Sequence, residues 1–433
     1  MTIKTAPLLG SSLILAISTS SVFAAENSIW SFDGSARLRY ENLQNTVRAN
    51  TSGNDQVLVS QVLLNLGMER DNLSAGFELS DQRAWMHDSG TPLGTDDINA
   101  LEPINAWVGW EQDDSFSVKA GRMTLDIGSR RLMARQRFRN TISAYDGVYG
   151  SYQMDGWQTQ AFYFAPVDRR PGDRDALEDN EAKLDKQSDD RIWGIHFSQS
   201  GDTNLELYYF GLDEDGNGSD ISTFGARSLK PASAQQWHYE VEGAYQTGEV
   251  AGEINGQPGN LDVSAALLHA HIGYQFSDPL SSRVELIADY VSGDDDPNDD
   301  EFNRFNSLGG VTRPDYGPTG IYGAFAISNL ASPGVKWAFQ PNTNDTAFIT
   351  YRAIWLDSKT DSQSRTGLQD VTGDSGRFAG HQVDARWRLN FTEQFRLELG
   401  ATHLVKGEFL EDAPGAPDTG NSTYVYSQAS YRF

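Results

Sequence analysis

The sequence predicts an all-β fold: a transmembrane antiparallel β-barrel of about eighteen strands with up-and-down topology. Three observations predict it. Segments of about ten residues in which apolar and polar side chains alternate recur along most of the chain, each ending in Gly, Asp, Asn, Ser or Pro, as strands with one lipid face and one lumen face do. The links between these segments alternate between short and long, matching periplasmic turns and outer loops. The chain also finishes on Tyr424-Val-Tyr-Ser-Gln-Ala-Ser-Tyr-Arg-Phe433, a strand that would be an aggregation-prone edge unless another strand closes against it.

Residues 1–24 carry the three parts of a secretory signal: Lys4, the apolar stretch Ala6 to Ile17, and small residues in Val22-Phe23-Ala24. The barrel is therefore expected over residues 25–433. No later segment approaches the ~20 consecutive apolar residues of a membrane helix. In the first strand Phe32, Gly34, Ala36, Leu38 and Tyr40 alternate with Asp33, Ser35, Arg37, Arg39 and Glu41. Late in the chain Val383, Ala385, Trp387, Leu389 and Phe391 alternate with Gln382, Asp384, Arg386, Arg388 and Asn390.

Such segments place strands near residues 29–43, 55–69, 72–85, 100–111, 115–122, 142–152, 156–166, 190–199, 203–212, 219–229, 236–250, 261–276, 281–292, 333–341, 345–357, 378–391, 395–406 and 420–433. An even count puts both termini on the periplasmic side. Links such as Glu69 to Asn72 and Thr392 to Gln394 are short. Those at 167–189, 293–332, 358–377 and 407–419 are long and are expected to face outside.

Composition narrows the function. The 41 Gly, 10 Trp, 17 Tyr and 21 Phe suit glycine turns and aromatic girdles. There is no cysteine, so thiol chemistry and disulfides are excluded, and a formal charge of -26 argues against nucleic acid as a partner. Against that total, Lys119, Arg122, Arg130, Arg131, Arg135, Arg137 and Arg139 stand with a lone Asp126. Arginine forks bind carboxylates in bidentate fashion at any relevant pH, and a lumen lined by them selects anions. The same cluster admits a structural reading, with arginines paired to lumen carboxylates such as Glu41, Glu69 and Glu78. Parity puts Arg37, Arg39, Arg227, Arg283, Arg352, Arg386, Arg388 and Arg396 on the polar face, with Glu240, Glu242, Glu285, Asp289 and Glu398 beside them. A mixed charge ladder of this kind describes a restricted channel.

Acidic residues concentrate in two loops, Asp213 to Asp220 and Asp294 to Glu301. The first carries Asp213, Asp215, Asn217 and Gly218 in the register of a calcium loop, but Phe224 stands where the bidentate glutamate belongs. Calcium on the outer loops and a merely hydrated acidic loop are the two readings. His269 and His271 share a strand face without a third ligand near in sequence, and no nucleophile–base constellation marks an enzyme.

Several pieces together resemble the alginate export family of outer-membrane porins. They run in family order: Ala36 to Asn42, Asn105 to Trp107, Val118 to Arg122, Arg130 to Leu132, Asp146 to Val148, Leu205 to Tyr209, Thr223 to Arg227, Tyr239-Glu240, and Ala288 to Asp294 followed by Phe302 to Leu308. The resemblance implies an eighteen-stranded barrel in the bacterial outer membrane that passes an anionic uronate saccharide by diffusion, without chemistry. It also implies that Arg37, Arg39, Lys119, Arg122, Arg130, Arg131 and Arg227 are positive lumen residues, although strict alternation turns Arg122 toward lipid. Expected partners are the anionic saccharide, outer-membrane lipid and the assembly machinery that reads the strand ending at Phe433. A general porin and a surface-binding barrel are the competing readings.

Overall fold

The computed structural model describes residues 21–25, 28–51, 53–88, 90–113, 115–216, 218–254, 257–296 and 298–433. The expected signal peptide lies outside them except for its end, where Ser21–Ala25 pairs antiparallel with Ser28–Phe32.

The period-two segments form eighteen strands in one ring. They are β1 (Ser28–Gln44), β2 (Asp55–Arg70), β3 (Leu73–Trp85), β4 (Asn99–Gln112), β5 (Phe116–Met123), β6 (Tyr145–Met154), β7 (Trp157–Asp168), β8 (Arg191–Gln199) and β9 (Asn204–Glu214), then β10 (Ser219–Lys230), β11 (Trp237–Ile254), β12 (Gln257–Gln275), β13 (Arg283–Val291), β14 (Leu330–Phe339), β15 (Thr346–Trp355), β16 (Phe378–Asn390), β17 (Phe395–Lys406) and β18 (Ser422–Arg432). Each pairs antiparallel with the next, and β18 pairs with β1 to close the ring. Closure leaves no strand edge, which is the condition for a sheet to stand in hydrocarbon.

The seam between first and last strands is fixed by the terminal residue. Phe433 donates its amide to the Gly34 carbonyl (3.1 Å) and accepts from the Gly34 amide (2.9 Å). A Cβ at position 34 would lie 2.6 Å from Cζ of Phe433, so only glycine lets the terminal ring lie across β1.

Alternation sorts the two faces. Leu38, Phe77, Val108, Val148, Tyr163, Phe224, Leu286 and Trp387 point outward and are exposed. Burying such a side chain away from water is worth up to about 1.5–3 kcal/mol, so this face favours an apolar surrounding. Trp110, Phe116, Tyr152, Trp237, Phe276, Phe391 and Phe395 cluster next to the short turns as one aromatic girdle. The inner face carries Arg39, Glu41, Glu78, Glu206, Glu242, His269, Asp289, Arg352, Asp384 and Glu398, all buried.

Both described termini and the short turns lie at one end. At the other lie the loops L1 (45–54), L2 (86–98), L3 (124–144), L4 (169–190), L5 (215–218), L7 (292–329), L8 (356–377) and L9 (407–421), L6 being the β11–β12 link at 255–256, which is outside the described residues. The expectation that all long links face outward needs correction, because L3 and L7 fold into the lumen. Leu132 and Met133 of L3 join Phe305, Tyr316, Ile321, Tyr322 and Phe325 of L7 in an apolar kernel with the inward-facing Phe162, Phe164, Tyr208 and Phe210. Burying these large side chains draws the loops inward and packs the part of the lumen nearest them.

Candidate functional site

L3 spans the lumen and is held at both ends by charged groups. On one side Arg37 donates to the carbonyls of Arg137 (2.9 Å) and Arg139 (3.0 Å), and Arg39 donates to the carbonyl of Phe138 (2.6 Å) while pairing with Glu41 (2.7 Å). Arg135 reaches Glu78 on β3 at 2.5 Å. On the other side Arg131 gathers three carboxylates: Glu240 and Glu242 of β11, each at 2.6 Å, and Asp315 of L7 at 3.0 Å. Burial would raise the Asp315 carboxyl, but the Arg131 guanidinium outweighs it and holds that group well below the usual carboxylate range.

L7 lies alongside. Gly309 donates to the Leu132 carbonyl (2.9 Å), Val311 donates to the Arg130 carbonyl (3.0 Å), and Gln136 donates to the carbonyls of Gly309 and Gly310. Gly310 is needed for this approach, since a Cβ there would stand 1.6 Å from the Arg131 carbonyl oxygen. The helical turn Arg313–Tyr316 then directs Arg313 onto Asp384 of β16 (2.8 Å).

Between these loops and the β14–β18 wall runs a cavity of about 350 Å³. Its charged lining is Arg130, Arg137, Arg313, Lys336, Arg386 and Arg388 against Asp126 and Glu398, six cations to two carboxylates. Arg388 pairs with Glu398 (2.5 Å) and Arg137 with Asp126 (2.5 Å), whereas Arg130 and Arg386 have no ion pair among the described residues. Arg386, Lys336 and Arg313 surround the Phe348 ring, with charged atoms 4.6, 5.3 and 5.8 Å from its centroid. A second cavity continues toward the short-turn end past Arg37, Arg135, Arg396 and Arg432. Fixed positive charge with open space beside it is suited to holding a carboxylate-bearing solute transiently.

The sequence model of the alginate export family matches residues 29–422. The chain belongs to the alginate export family. Among solved structures this porin resembles Pseudomonas aeruginosa OccK9 (OpdG), with a TM-score of 0.62 at 12% identity over 93% of this chain and 98% of that one. Acinetobacter baumannii OccAB1 gives 0.60 at 12% identity over 93% and 96%. Pseudomonas aeruginosa OpdQ gives 0.59 at 12% identity over 93% and 97%. No curated protein matches the chain. The likeness to the Occ barrels concerns the fold; with the family it places this protein in the bacterial outer membrane as a porin.

In this porin the residues expected at the site fall into four groups. Arg130, Arg137, Arg386 and Arg388 line the main cavity. Lys119 faces the lumen with Nζ 4.2 Å from the centroid of Trp107. Arg37, Arg39, Arg131, Arg135, Arg139, Arg227 and Arg352 are inside the barrel but already engaged: Arg139 with Asp96 (2.8 Å), Arg227 with Glu206 (2.8 Å) and Arg352 with Asp289 (2.5 Å). For these the structural reading applies: Arg37, Arg39, Arg131, Arg135 and Arg139 tie loops to the wall or to one another, whereas Arg227 and Arg352 join strands of the wall itself. Arg122 is a correction. It stands opposite Ala106 and Asp146 in the ladder, on the face of exposed Val108 and Val148, and pairs with Glu102 (2.5 Å) and Asp146 (2.8 Å) rather than facing the lumen.

The acidic hairpin also departs from expectation. The ladder runs on through Asp213↔Asp220 and Glu214↔Ser219, leaving only residues 215–218 outside it, too short a span for a twelve-residue calcium loop. The Asp215 amide donates to Asp190 (3.1 Å), and Asn217 lies outside the described residues. Sequence reasoning did not single out Arg313, Lys336 and Phe348. Lys336 shares the lumen parity of its strand and was findable; Arg313 sits in an aperiodic loop with no local signal.

Proposed function

We propose that this outer-membrane porin passes anionic saccharides of the uronate type by diffusion, with the cavity beside L3 and L7 as its selective constriction. One observation carries the reading: Arg130 and Arg386 stand beside open space with no ion pair among the described residues, next to four further cations whose partners are Asp126, Glu398, Asp384 and Glu285. Each uronate unit bears a carboxylate that an arginine fork can meet. Several weak sites in series let a solute move from one to the next, which a single tight site would prevent. No chemical step is part of this role, and a passive pore serves either direction.

Ion current through the purified porin in a planar bilayer tests it. Oligouronates should interrupt the current at concentrations where neutral oligosaccharides of equal length do not. Equal block by both would favour the second reading, a general porin. Absence of conductance would favour a surface-binding barrel, which draws on the packed outer part of the lumen. The exposed apolar belt is proposed to contact outer-membrane lipid, and the strand ending at Phe433 to engage the assembly machinery.

A further inference from the structure

We propose that the lumen wall formed by β11, β12 and β13 holds a site for one divalent transition-metal cation of the Zn²⁺ class, with His238, His271 and Glu285 as its protein ligands. The pairing register builds it. His238 and Glu285 both stand opposite Gly273, one on each neighbouring strand, and His271 follows two residues earlier on the same face as Gly273. Because residue 273 has no side chain, the His238 ring lies across it; a Cβ there would come within 2.5 Å of His238 Nε2. That nitrogen stands 3.9 Å from Glu285 Oε1, and one donor atom from each of the three residues falls within 4.8 Å of the others. The His238 and His271 rings are 5.6 Å apart.

A second observation points to a ligand. His238 is only 2% exposed, yet its Nε2 has no hydrogen-bond partner, an arrangement that buried polar atoms ordinarily avoid. Two imidazoles and a carboxylate are the donor set of a zinc site that keeps a fourth position for water, at Zn–N distances of about 2.0–2.1 Å. Tetrahedral donors then stand roughly 3.4 Å apart, so small side-chain movements would close the set. Arg283 (2.8 Å) and Lys336 (3.7 Å) lean on Glu285 and must share it, which weakens the site without filling it. A neighbouring triple, His269, Glu240 and His271, uses the same His271. There Glu240 is held by Arg131 (2.6 Å) and Arg227 (3.1 Å), respectively closer than Arg283 and Lys336 are to Glu285, so the two triples compete for one ion and the first keeps the less tightly held carboxylate.

The test is calorimetric titration of tag-free, detergent-solubilised full chain with ZnCl₂ at pH 7.5, repeated with CaCl₂. One Zn²⁺ per chain is expected, with affinity lowered at least tenfold in His238→Gln and in His271→Gln and changed less than threefold in His269→Gln. Retained heat-modifiable gel mobility identifies the variants that are still closed barrels. No zinc heat with the native chain, equal affinity for calcium, or loss in His269→Gln with retention in His238→Gln would each overturn the assignment. None of these outcomes depends on which solute the pore passes.

Discussion

Arg386 on β16 is the cleanest point at which to test electrostatic selection, because its guanidinium rests over Phe348 and has no ion pair among the described residues. Arg386→Glu removes one positive charge from the cavity and adds one negative. A solute in the middle of the passage lies roughly 7 Å from such a wall charge, where one unit charge is worth about 0.6 kcal/mol in water. The reversal therefore amounts to about 1.2 kcal/mol unscreened, and to roughly 0.5 kcal/mol at physiological salt, where the Debye length is about 8 Å. Local occupancy by a monovalent anion should fall about eightfold at low salt and about twofold at physiological salt, with Arg386→Gln giving about threefold at low salt. The reversal potential across a planar bilayer under a salt gradient reads the anion-to-cation permeability ratio directly. If Arg386→Glu and the native porin gave the same ratio at low salt, the cavity would not be the selective passage.

Other expectations follow from the loops and the seam. Arg131→Gln strands Glu240, Glu242 and Asp315 without their common cation and should cost about 3–5 kcal/mol, seen as a lower temperature for the heat-induced gel shift. The native Arg131–Asp315 contact has a depressed acid, so its contribution is present above the ordinary carboxylate value and fades as pH falls below about 4; acid titration of L7 protease resistance should show this. Asp97 in L2 behaves oppositely: burial first, then Glu41 and Asp96, push it up to about 7, so its contribution is greatest in acid and is lost as pH rises from about 4 to 7, each unit being about 1.4 kcal/mol. Asp97→Asn should flatten that dependence in hydrogen exchange of L2, and an unchanged profile would count against it. Gly34→Val drives a side chain into the Phe433 ring and should leave most of the protein unfolded in membrane fractions, whereas Ser35→Ala should not. Calcium titration should give no heat attributable to the 213–218 hairpin, and a heat abolished by Asp215→Asn would reverse that reading.

The barrel was legible because its information is local. Each of the eighteen expected strands overlaps one observed, since alternation depends only on which face meets lipid. Misplaced ends have physical causes. Alternation places the start of the sixth strand at residue 142, but Ile142 and Ala144 are buried against Ile104 as the tail of L3, and pairing starts at Tyr145. The β11–β12 hairpin runs on to Ile254↔Gln257, past Gly252 and Gly259, whose missing side chains interrupt the pattern. The site was half legible. The arginine cluster stood out by charge, but the partners that turn Arg131 and Arg135 into anchors lie far away in sequence, at Glu240, Glu242, Asp315 and Glu78. His271 looked short of a third ligand for the same reason, since Glu285 and His238 come from adjoining strands.

The path of L3 has a mechanical consequence. Its two attachments are at β1–β3 and at β11, nearly half the circumference apart in a ring of eighteen. A thin tube squeezed by the lateral pressure of a bilayer flattens most easily into an ellipse. A tie laid along a diameter and riveted by guanidinium groups at each end opposes that flattening, so the bore keeps its cross-section when the surrounding lipid changes.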